Sequence, residues 1–290
     1  MIRVRVPGSS ANLGPAFDGL AMALTLAADV GVVAETASTP SWPERAHVVD
    51  DAHPADVAFR RGGGRGRLWV RSPIPMGRGL GYSGAMRVGG MTAAIVQREG
   101  AGVLSTDRPA DRTAVLAEVL KGAAELEGHA DNVAASTYGG VVATADGIAV
   151  RVPFPLVPAV IAWVPALTTS TARSRSTLPS TVSFTDAVFN VTHTALLVAA
   201  LAAGDTDALR VAAQDRLHQD RRLAVAEPAR SALTAGLAAG AWCGWLSGSG
   251  PTIVVLCDAT EADRIVASLP PDGDVKRLAL DPLGARVVDE

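Results

Sequence analysis

The sequence has little lysine and little cysteine, and each scarcity excludes a class of site. The two lysines among 290 residues, Lys121 and Lys276, do not stand between a glycine and a serine or threonine. A P-loop nucleotide-binding protein is therefore excluded. The two cysteines, Cys243 and Cys257, lie in apolar surroundings with no histidine at metal-ligand spacing. We interpret them as buried side chains in a reducing compartment.

Excess positive charge and a long apolar run are also missing. The net charge is −3, so the chain has no basic field for a nucleic-acid backbone. No apolar segment of a signal peptide follows the first residues, and the longest apolar run, residues 195–203, is about half a membrane span. We therefore expect a cytoplasmic protein with neither nucleic acid nor membrane as a partner, and a homodimer stays open.

The apolar fraction of 48% and the length predict a globular chain of one large or two ordinary domains. The proline-dense stretch at residues 152–158 predicts a boundary between domains 1–153 and 154–290, and mixed strands and helices predict an α+β fold. The predicted strands are residues 3–6, 24–35, 67–71, 141–144, 148–152, 159–164, 252–256 and 275–280, and the predicted helices are residues 83–99, 111–127, 183–203, 206–220, 228–239 and 261–269.

A glycine-rich loop, Pro75-Met-Gly-Arg-Gly-Leu-Gly-Tyr-Ser-Gly-Ala85, lies between a predicted strand and a predicted helix. Alternate glycines let a ligand approach the backbone, and the start of the helix adds free N–H groups for an anionic phosphate. The alternative is a tight turn without a ligand. The candidate phosphate-binding residues are Pro75, Gly77, Gly79, Leu80, Gly81, Ser83 and Gly84.

Two further loops of small residues lie at strand ends, where ligand-binding loops are common. One is Pro7-Gly-Ser-Ser-Ala-Asn-Leu-Gly-Pro-Ala-Phe-Asp-Gly-Leu20. The other, Ser247-Gly-Ser-Gly-Pro-Thr252, precedes an apolar strand and contributes Gly248, Ser249 and Gly250 to a candidate third motif.

In this order the three loops resemble the motifs of the GHMP small-molecule kinases, and four further markers resemble the homoserine kinases. The markers are residues 11–18, 127–134, 175–179 and 215–219, the last followed by Arg222. The resemblance implies a GHMP-kinase-like two-domain α+β fold, with an N-terminal domain like ribosomal protein S5 and a ferredoxin-like C-terminal domain. It also implies ATP and Mg²⁺ as cofactors and phosphorylation of the hydroxyl of L-homoserine.

The resemblance places the residues for phosphoryl transfer in the glycine-rich loop and in the marker at residues 127–134. Ser83 and Glu127 are the candidate Mg²⁺ ligands, with Glu125 as the alternative. The candidate catalytic residues are Ser83, Asp131 and Asn132. Whether Asp131 serves as a general base stays open, because such kinases need mainly positioned phosphates and a metal ion.

An amino-acid substrate presents a carboxylate, an ammonium group and a hydroxyl. Arg175 and Arg222 occupy the family's two arginine positions, and each guanidinium can donate two parallel hydrogen bonds to a carboxylate. We expect Asp18 to neutralise the ammonium group. Asn12 and His129 are candidates for further hydrogen bonds to the substrate.

The chain departs from the family pattern at two places. Tyr82 stands where the family has a serine, and it either covers the nucleotide or simply replaces a dispensable hydroxyl. A full helix usually precedes the strand before the glycine loop, whereas only residues 55–61 and a glycine-rich connector fill that interval. Two other functions therefore stay open: a GHMP kinase for another small polar alcohol, and a ligand-binding relative without catalysis.

Overall fold

The computed structural model describes residues 2–33, 42–168 and 171–288, which form two sheets with flanking helices. The strands are β1 (Arg3–Ala11), β2 (Leu20–Val32), β3 (His47–Val48), β4 (Leu68–Arg71), β5 (Val141–Ala145), β6 (Ile148–Val152), β7 (Ala159–Pro165), β8 (Cys243–Leu246), β9 (Ile253–Cys257), β10 (Gly273–Leu278) and β11 (Arg286–Val287). The helices are α1 (Pro54–Arg61), α2 (Tyr82–Glu99), α3 (Pro109–Glu127), α4 (Asp131–Tyr138), α5 (Thr171–Ser176), α6 (Phe184–Ala203), α7 (Thr206–Ala212), α8 (Gln219–Leu223), α9 (Glu227–Ala238) and α10 (Ala262–Ser268).

The first sheet has the order β11-β1-β2-β4-β3, and the hairpin of β5 and β6 joins it through β2. The second sheet has the order β10-β7-β9-β8, and all pairings recorded in the two sheets are antiparallel. The mixed α+β class predicted from the sequence is confirmed. The chain passes from the first sheet to the second between β6 and β7, and β11 returns to β1. The boundary at residue 153 stays a prediction.

Helices cover one face of each sheet. Helices α2 and α4 pack on β1 and β2, where alternate apolar side chains such as Val4, Val6 and Val30 are buried against them. Helices α9 and α10 contact the second sheet. This arrangement places the amino-terminal end of α2, and the glycine-rich loop before it, at the junction with the second sheet.

The predicted helix over residues 206–220 is wrong in its second half. Helix α7 ends at Ala212, and a turn separates it from α8. The turn is built on Asp215, whose carboxylate accepts the backbone N–H groups of Leu217, His218 and Gln219. An aspartate that binds nearby backbone N–H groups in this way competes with a continuous helix.

The interval before the glycine loop is shorter than the family pattern but does form a helix, α1. It packs closely on α2 because Gly90 has no side chain: a Cβ there would lie 1.9 Å from the carbonyl oxygen of Ala55. The neighbouring Gly89 similarly admits Val30, whose Cγ2 would lie 2.6 Å from an added Cβ. A pair of glycines is unfavourable inside a helix, but here it lets α1 and the sheet approach α2.

Helix α6 is longer than the apolar run counted in the sequence. Its 20 residues have the length and hydropathy of a membrane-crossing segment, and 22% of the most apolar stretch is buried. Exposed apolar side chains include Phe184, Val188 and Val191. Helix α6 resembles a membrane span by its length and composition only.

We expect Gly90→Ala to lower the free energy of unfolding by about 1–3 kcal/mol, because the added methyl group must push α1 away from α2. Gly102→Ala is the matched control, since a Cβ at Gly102 meets nothing within 4 Å in the described structure. Urea denaturation of both variants measures the difference. Equal midpoints would show that the approach of α1 to α2 can relax without cost.

Candidate active site

The three glycine- and serine-rich loops and the arginine-bearing segments meet around one cavity of about 230 Å³. Most of the candidate residues line it. They are Asn12, Asp18, Pro75, Gly77, Gly79, Gly81, Ser83, Glu127, His129, Asp131, Asn132, Arg175, Arg222, Gly248 and Ser249. Leu80, Gly84 and Gly250 do not line it: Leu80 is fully buried, Gly84 packs against Asn132, and Gly250 lies against Leu246.

The glycine loop has the backbone conformation that its sequence predicts. Gly77, Gly79 and Gly81 have φ angles of 67°, 77° and 71°, in the left-handed region that favours glycine. Gly81 is the N-cap residue of α2 and makes no side-chain hydrogen bond to the first N–H groups of that helix. Gly81, Tyr82 and Ser83 line the cavity, so the positive end of the helix dipole lies beside it, as an anionic ligand requires.

Ser83 and Glu127, the two candidate metal ligands, are in contact. The Ser83 hydroxyl donates to Glu127 Oε2 over 2.7 Å, and Arg87 Nε donates to the same oxygen. Mg²⁺ commonly takes one or two protein oxygen ligands together with substrate phosphates and water. No cluster of three or more metal-ligating side chains occurs among the described residues. A hydroxyl and a carboxylate beside the glycine loop suit an ion that arrives with a nucleotide.

The alternative ligand, Glu125, points elsewhere. Its carboxylate pairs with Arg61 over 3.2 Å at the surface, and it does not line the cavity. Glu127 is mostly buried and lines it. The geometry therefore favours Glu127 over Glu125 as the candidate ligand.

Asp131 and Asn132 begin α4 at the base of the cavity. His129 Nδ1 lies 2.7 Å from Asp131 Oδ1, and this hydrogen bond raises the pKa of His129. The same carboxylate oxygen accepts the backbone N–H of Asn132. The Asn132 side chain in turn accepts a hydrogen bond from the Ser9 hydroxyl over 2.8 Å. The pair is thus held rigidly beside the glycine loop.

Three candidate substrate-binding residues, Asn12, Asp18 and Arg175, contact other protein groups. Asn12 joins two loops, since its Nδ2 donates to Gly248 O over 2.9 Å and its Oδ1 accepts the Asp18 N–H. The Asp18 carboxylate accepts two hydrogen bonds from Arg175 Nη2, at 2.6 and 2.8 Å. Asp18 and Arg175, expected to bind opposite ends of the substrate, are therefore paired with each other.

Arg222 is different, because no carboxylate pairs with it among the described residues. It is 6% exposed, its Nε has no hydrogen-bond partner in the described structure, and Nη1 donates to Gly248 O over 3.2 Å. Burial, with Arg175 nearby, lowers its pKa to about 10. His218 Nε2 donates to Gly14 O, which leaves Nδ1 as an acceptor 3.2 Å from Arg222 Nη1. The imidazole of His218 thus orients Arg222.

No role is predicted for Phe17 from the sequence, although this residue lies inside the first motif. Its ring centre is 5.3 Å from the guanidinium carbon of Arg175 and also 5.3 Å from that of Arg222. The sequence signal that could have identified Phe17 is the presence of an aromatic residue next to Asp18 in a glycine-rich loop. The ring contacts the guanidinium groups of both arginines, and its π face stabilises their positive charges.

Tyr82 contacts α1 through His53, the N-cap residue of that helix. The backbone N–H of Ala55 donates to His53 Nδ1, so the neutral ring carries its proton on Nε2, which donates to the Tyr82 hydroxyl over 3.0 Å. Burial lowers the pKa of His53 and favours this neutral form. Tyr82 lines the cavity, so its ring forms a wall between the glycine loop and α1.

Two family models match the chain. The model of the GHMP kinase N-terminal domain matches residues 54–140, and that of the GHMP kinase C-terminal region matches residues 197–273. Homoserine kinase of Gloeobacter violaceus is 39% identical to the chain over 313 residues, covering 98% of each sequence. The chain belongs to the homoserine kinase family. A second member, from Desulfitobacterium hafniense, is 36% identical and covers 99% of this chain and all of its own length.

A solved structure of the same family shares the fold. The crystal structure of homoserine kinase from Cytophaga hutchinsonii superposes with a TM-score of 0.80 at 24% identity, covering 99% of this chain and 97% of that one. Leishmania major mevalonate kinase in complex with R-mevalonate has a TM-score of 0.66 at 18% identity, covering 96% and 95%. The GHMP-kinase-like two-domain fold predicted from the motifs is therefore confirmed.

We expect Tyr82→Ser to weaken ADP binding by about tenfold or more, equivalent to about 1.4 kcal/mol, because the serine removes the ring that walls the cavity. Tyr82→Phe keeps the ring and loses the hydrogen bond to His53, so it should bind ADP nearly as the wild type does. Titration calorimetry of the three proteins measures the affinities. Equal ADP affinities in the serine and phenylalanine variants would show that the ring does not contact the nucleotide.

Proposed function

We propose that this chain transfers the γ-phosphoryl group of ATP to the side-chain hydroxyl of L-homoserine, with O-phospho-L-homoserine and ADP as products. The hydroxyl oxygen forms the new bond to phosphorus, the bond to the β-phosphate oxygen breaks, and the hydroxyl proton is released. Family membership supports the class of reaction. A cytoplasmic location and a homodimer stay predictions from the sequence.

The single observation that carries the choice of substrate is the state of Arg222. A guanidinium that is 6% exposed and lacks a carboxylate partner in the described structure is costly to bury. A substrate carboxylate bound there would supply the missing negative charge through charge-assisted hydrogen bonds. An uncharged alcohol has no negative charge and therefore does not offset the cost of burying Arg222.

The neighbouring pair of Asp18 and Arg175 suits the other charged group of an amino acid. Both side chains remain more than one-third exposed, so the pair is accessible to a ligand. An ammonium group can share the Asp18 carboxylate while a carboxylate shares Arg175 with Arg222. The three side chains together thus form a complement to a zwitterion.

The nucleotide and metal would occupy the opposite wall. The glycine loop and the start of α2 bind phosphates through backbone N–H groups. Ser83 and Glu127 would hold Mg²⁺, which neutralises phosphate charge when bound. Arg87, already paired with Glu127, orients that carboxylate.

Asp131 is the candidate to accept the hydroxyl proton. Among the described carboxylates that line the cavity, Asp18 and Glu127 are each paired with an arginine. Asp131 instead has a histidine and a backbone N–H as partners. His129 fixes the orientation of this carboxylate through the hydrogen bond between Nδ1 and Oδ1.

Glu127→Gln should lower kcat by about 10²-fold or more while changing the homoserine KM little, because the carboxylate acts on charge at the transferred phosphate. Glu125→Gln is the matched control, since Glu125 lies two residues away and pairs with Arg61 at the surface. Steady-state kinetics at saturating Mg²⁺ compare the two. Normal turnover in Glu127→Gln with loss in Glu125→Gln would reverse the assignment.

Arg222→Lys should lower kcat/KM for homoserine by about 10- to 150-fold, the effect of one lost charge-assisted hydrogen bond. Arg175→Lys should act in the same direction, and the KM of ATP should change little in either variant. Arg221→Lys is the matched control because Arg221 is exposed beside Arg222. A coupled assay of ADP release measures homoserine and the uncharged 1,4-butanediol with each protein.

The same assay tests the function itself. Turnover that prefers homoserine in the wild type, and loses that preference in Arg222→Lys, supports the proposal. Equal discrimination in all variants would contradict the arginine contact. ADP release with a different alcohol as the preferred substrate would favour another GHMP kinase, and ligand binding without turnover would favour a non-catalytic relative.

A further inference from the structure

A second cavity, of about 720 Å³, lies at the first sheet and shares no lining residue with the active site. One row of residues crosses four strands beside it. Arg286 on β11 lies opposite Arg5 on β1, Arg5 lies opposite Asp29 on β2, and Asp29 lies opposite Arg71 on β4. These side chains alternate with the buried Val4 and Val30, so they face away from the helices.

Asp29 is bound by more guanidinium groups than it can neutralise. It is 3% exposed, and its Oδ2 accepts hydrogen bonds from Arg3 at 2.9 Å, Arg5 at 3.2 Å and Arg71. Its Oδ1 accepts a further bond from Arg5 at 2.8 Å. Burial raises the pKa of Asp29, but the hydrogen bonds from Arg5, Arg71 and Arg3 lower it to about 2. The carboxylate is thus ionised at neutral pH and balances one of three positive charges.

The second carboxylate of the cavity does not restore the balance. Asp281, 4% exposed, pairs with Arg286 at 3.2 Å but also accepts the backbone N–H groups of Leu283 and Gly284. At the rim, Glu44 and Arg45 are highly exposed and cancel each other. Among the described side chains, Arg5, Arg71 and Arg286 line the cavity together with the carboxylates of Asp29 and Asp281. Arg3 binds Asp29 without lining the cavity. The lining therefore has an excess of one positive charge, and the cluster with Arg3 has an excess of two.

A purely structural ion network does not require this excess. Like charges directly opposite each other on adjacent strands, as at Arg5 and Arg286, destabilise a sheet. The Nε of Arg3 is buried without a hydrogen-bond partner in the described structure, which adds to the cost. A bound anion would offset both effects, and guanidinium groups suit the oxygens of a phosphoryl group.

We propose that this cavity is a binding site for a small dianion that carries a phosphoryl group, either inorganic phosphate or a phosphate monoester. The excess charge matches the dianion, and the cavity is large enough for the organic part of an ester. The site is separate from the glycine loop, so it is available when a nucleotide is bound.

The test is a sequential calorimetric titration. Saturating Mg²⁺ and a non-hydrolysable ATP analogue are added first, to occupy all the phosphate-binding positions of the glycine loop, and inorganic phosphate is added second at constant ionic strength. We expect one saturable phosphate site per chain, and Arg71→Gln and Arg286→Gln should each weaken phosphate binding by about tenfold or more. Arg264→Gln, an exposed arginine paired with Glu261, is the matched control and should bind phosphate normally.

Absence of saturable phosphate binding to the wild type, or equal affinities in Arg71→Gln and the wild type, would overturn the proposal. If the arginine variants fail to fold, the wild type still decides. Acetate, a monoanion, should bind far more weakly than phosphate, and equal binding of both would also overturn the proposal. A second series with a phosphate monoester distinguishes the two sources of the phosphoryl group. Failure of the first step, binding of the ATP analogue, would instead count against the proposed kinase function.

Discussion

The geometry of the active site depends on the contact between Gly79 of the glycine loop and Ser247 of the third loop. A Cβ at residue 79 would lie 2.2 Å from the Ser247 carbonyl oxygen, so the two backbones touch where only glycine fits. The Ser247 hydroxyl donates to the Gly79 carbonyl oxygen over 2.6 Å. The adjacent Gly248 bonds to Ala11 and Asn12 of the first loop. Loops from both sheets are thereby fixed to one another, and the phosphate-binding wall and the substrate-binding wall keep a constant separation.

Charge pairing then decides which groups are available to ligands. In a partly buried cavity an ion without a partner is expensive, so most of the charged side chains there have one. Glu127 pairs with Arg87, and Asp18 with Arg175. Arg222 is the exception in the described structure, and its neighbours supply carbonyl and imidazole acceptors rather than a full negative charge. The selectivity for a carboxylate that we propose therefore follows from the lack of a carboxylate partner for Arg222 among the described residues.

The sequence predicts best where the signal is local. The periodic apolar pattern over residues 111–127 places α3 to within two residues of its start, and loop motifs place the candidate residues around one cavity. The helix over 206–220 fails because a single carboxylate, Asp215, captures three backbone N–H groups. Arg87 and Phe17 acquire their roles from partners distant in sequence, Glu127 for the first and Arg222 for the second. Tertiary contacts of that kind leave no periodic pattern to read.

Amino-acid composition does not explain the two places where arginines outnumber their carboxylate partners. The chain as a whole carries a net charge of −3, with 29 acidic residues against 26 basic ones. Acidic partners are therefore plentiful, yet the buried Arg222 pairs with no carboxylate in the described structure, and the arginines around Asp29 outnumber their carboxylate partners. At Arg222 the deficit is one negative charge, which the carboxylate of an amino acid can supply. Around Asp29 the deficit is two, which a phosphoryl dianion can supply. In both places we propose the ligand from the missing negative charge and not from the shape of the cavity.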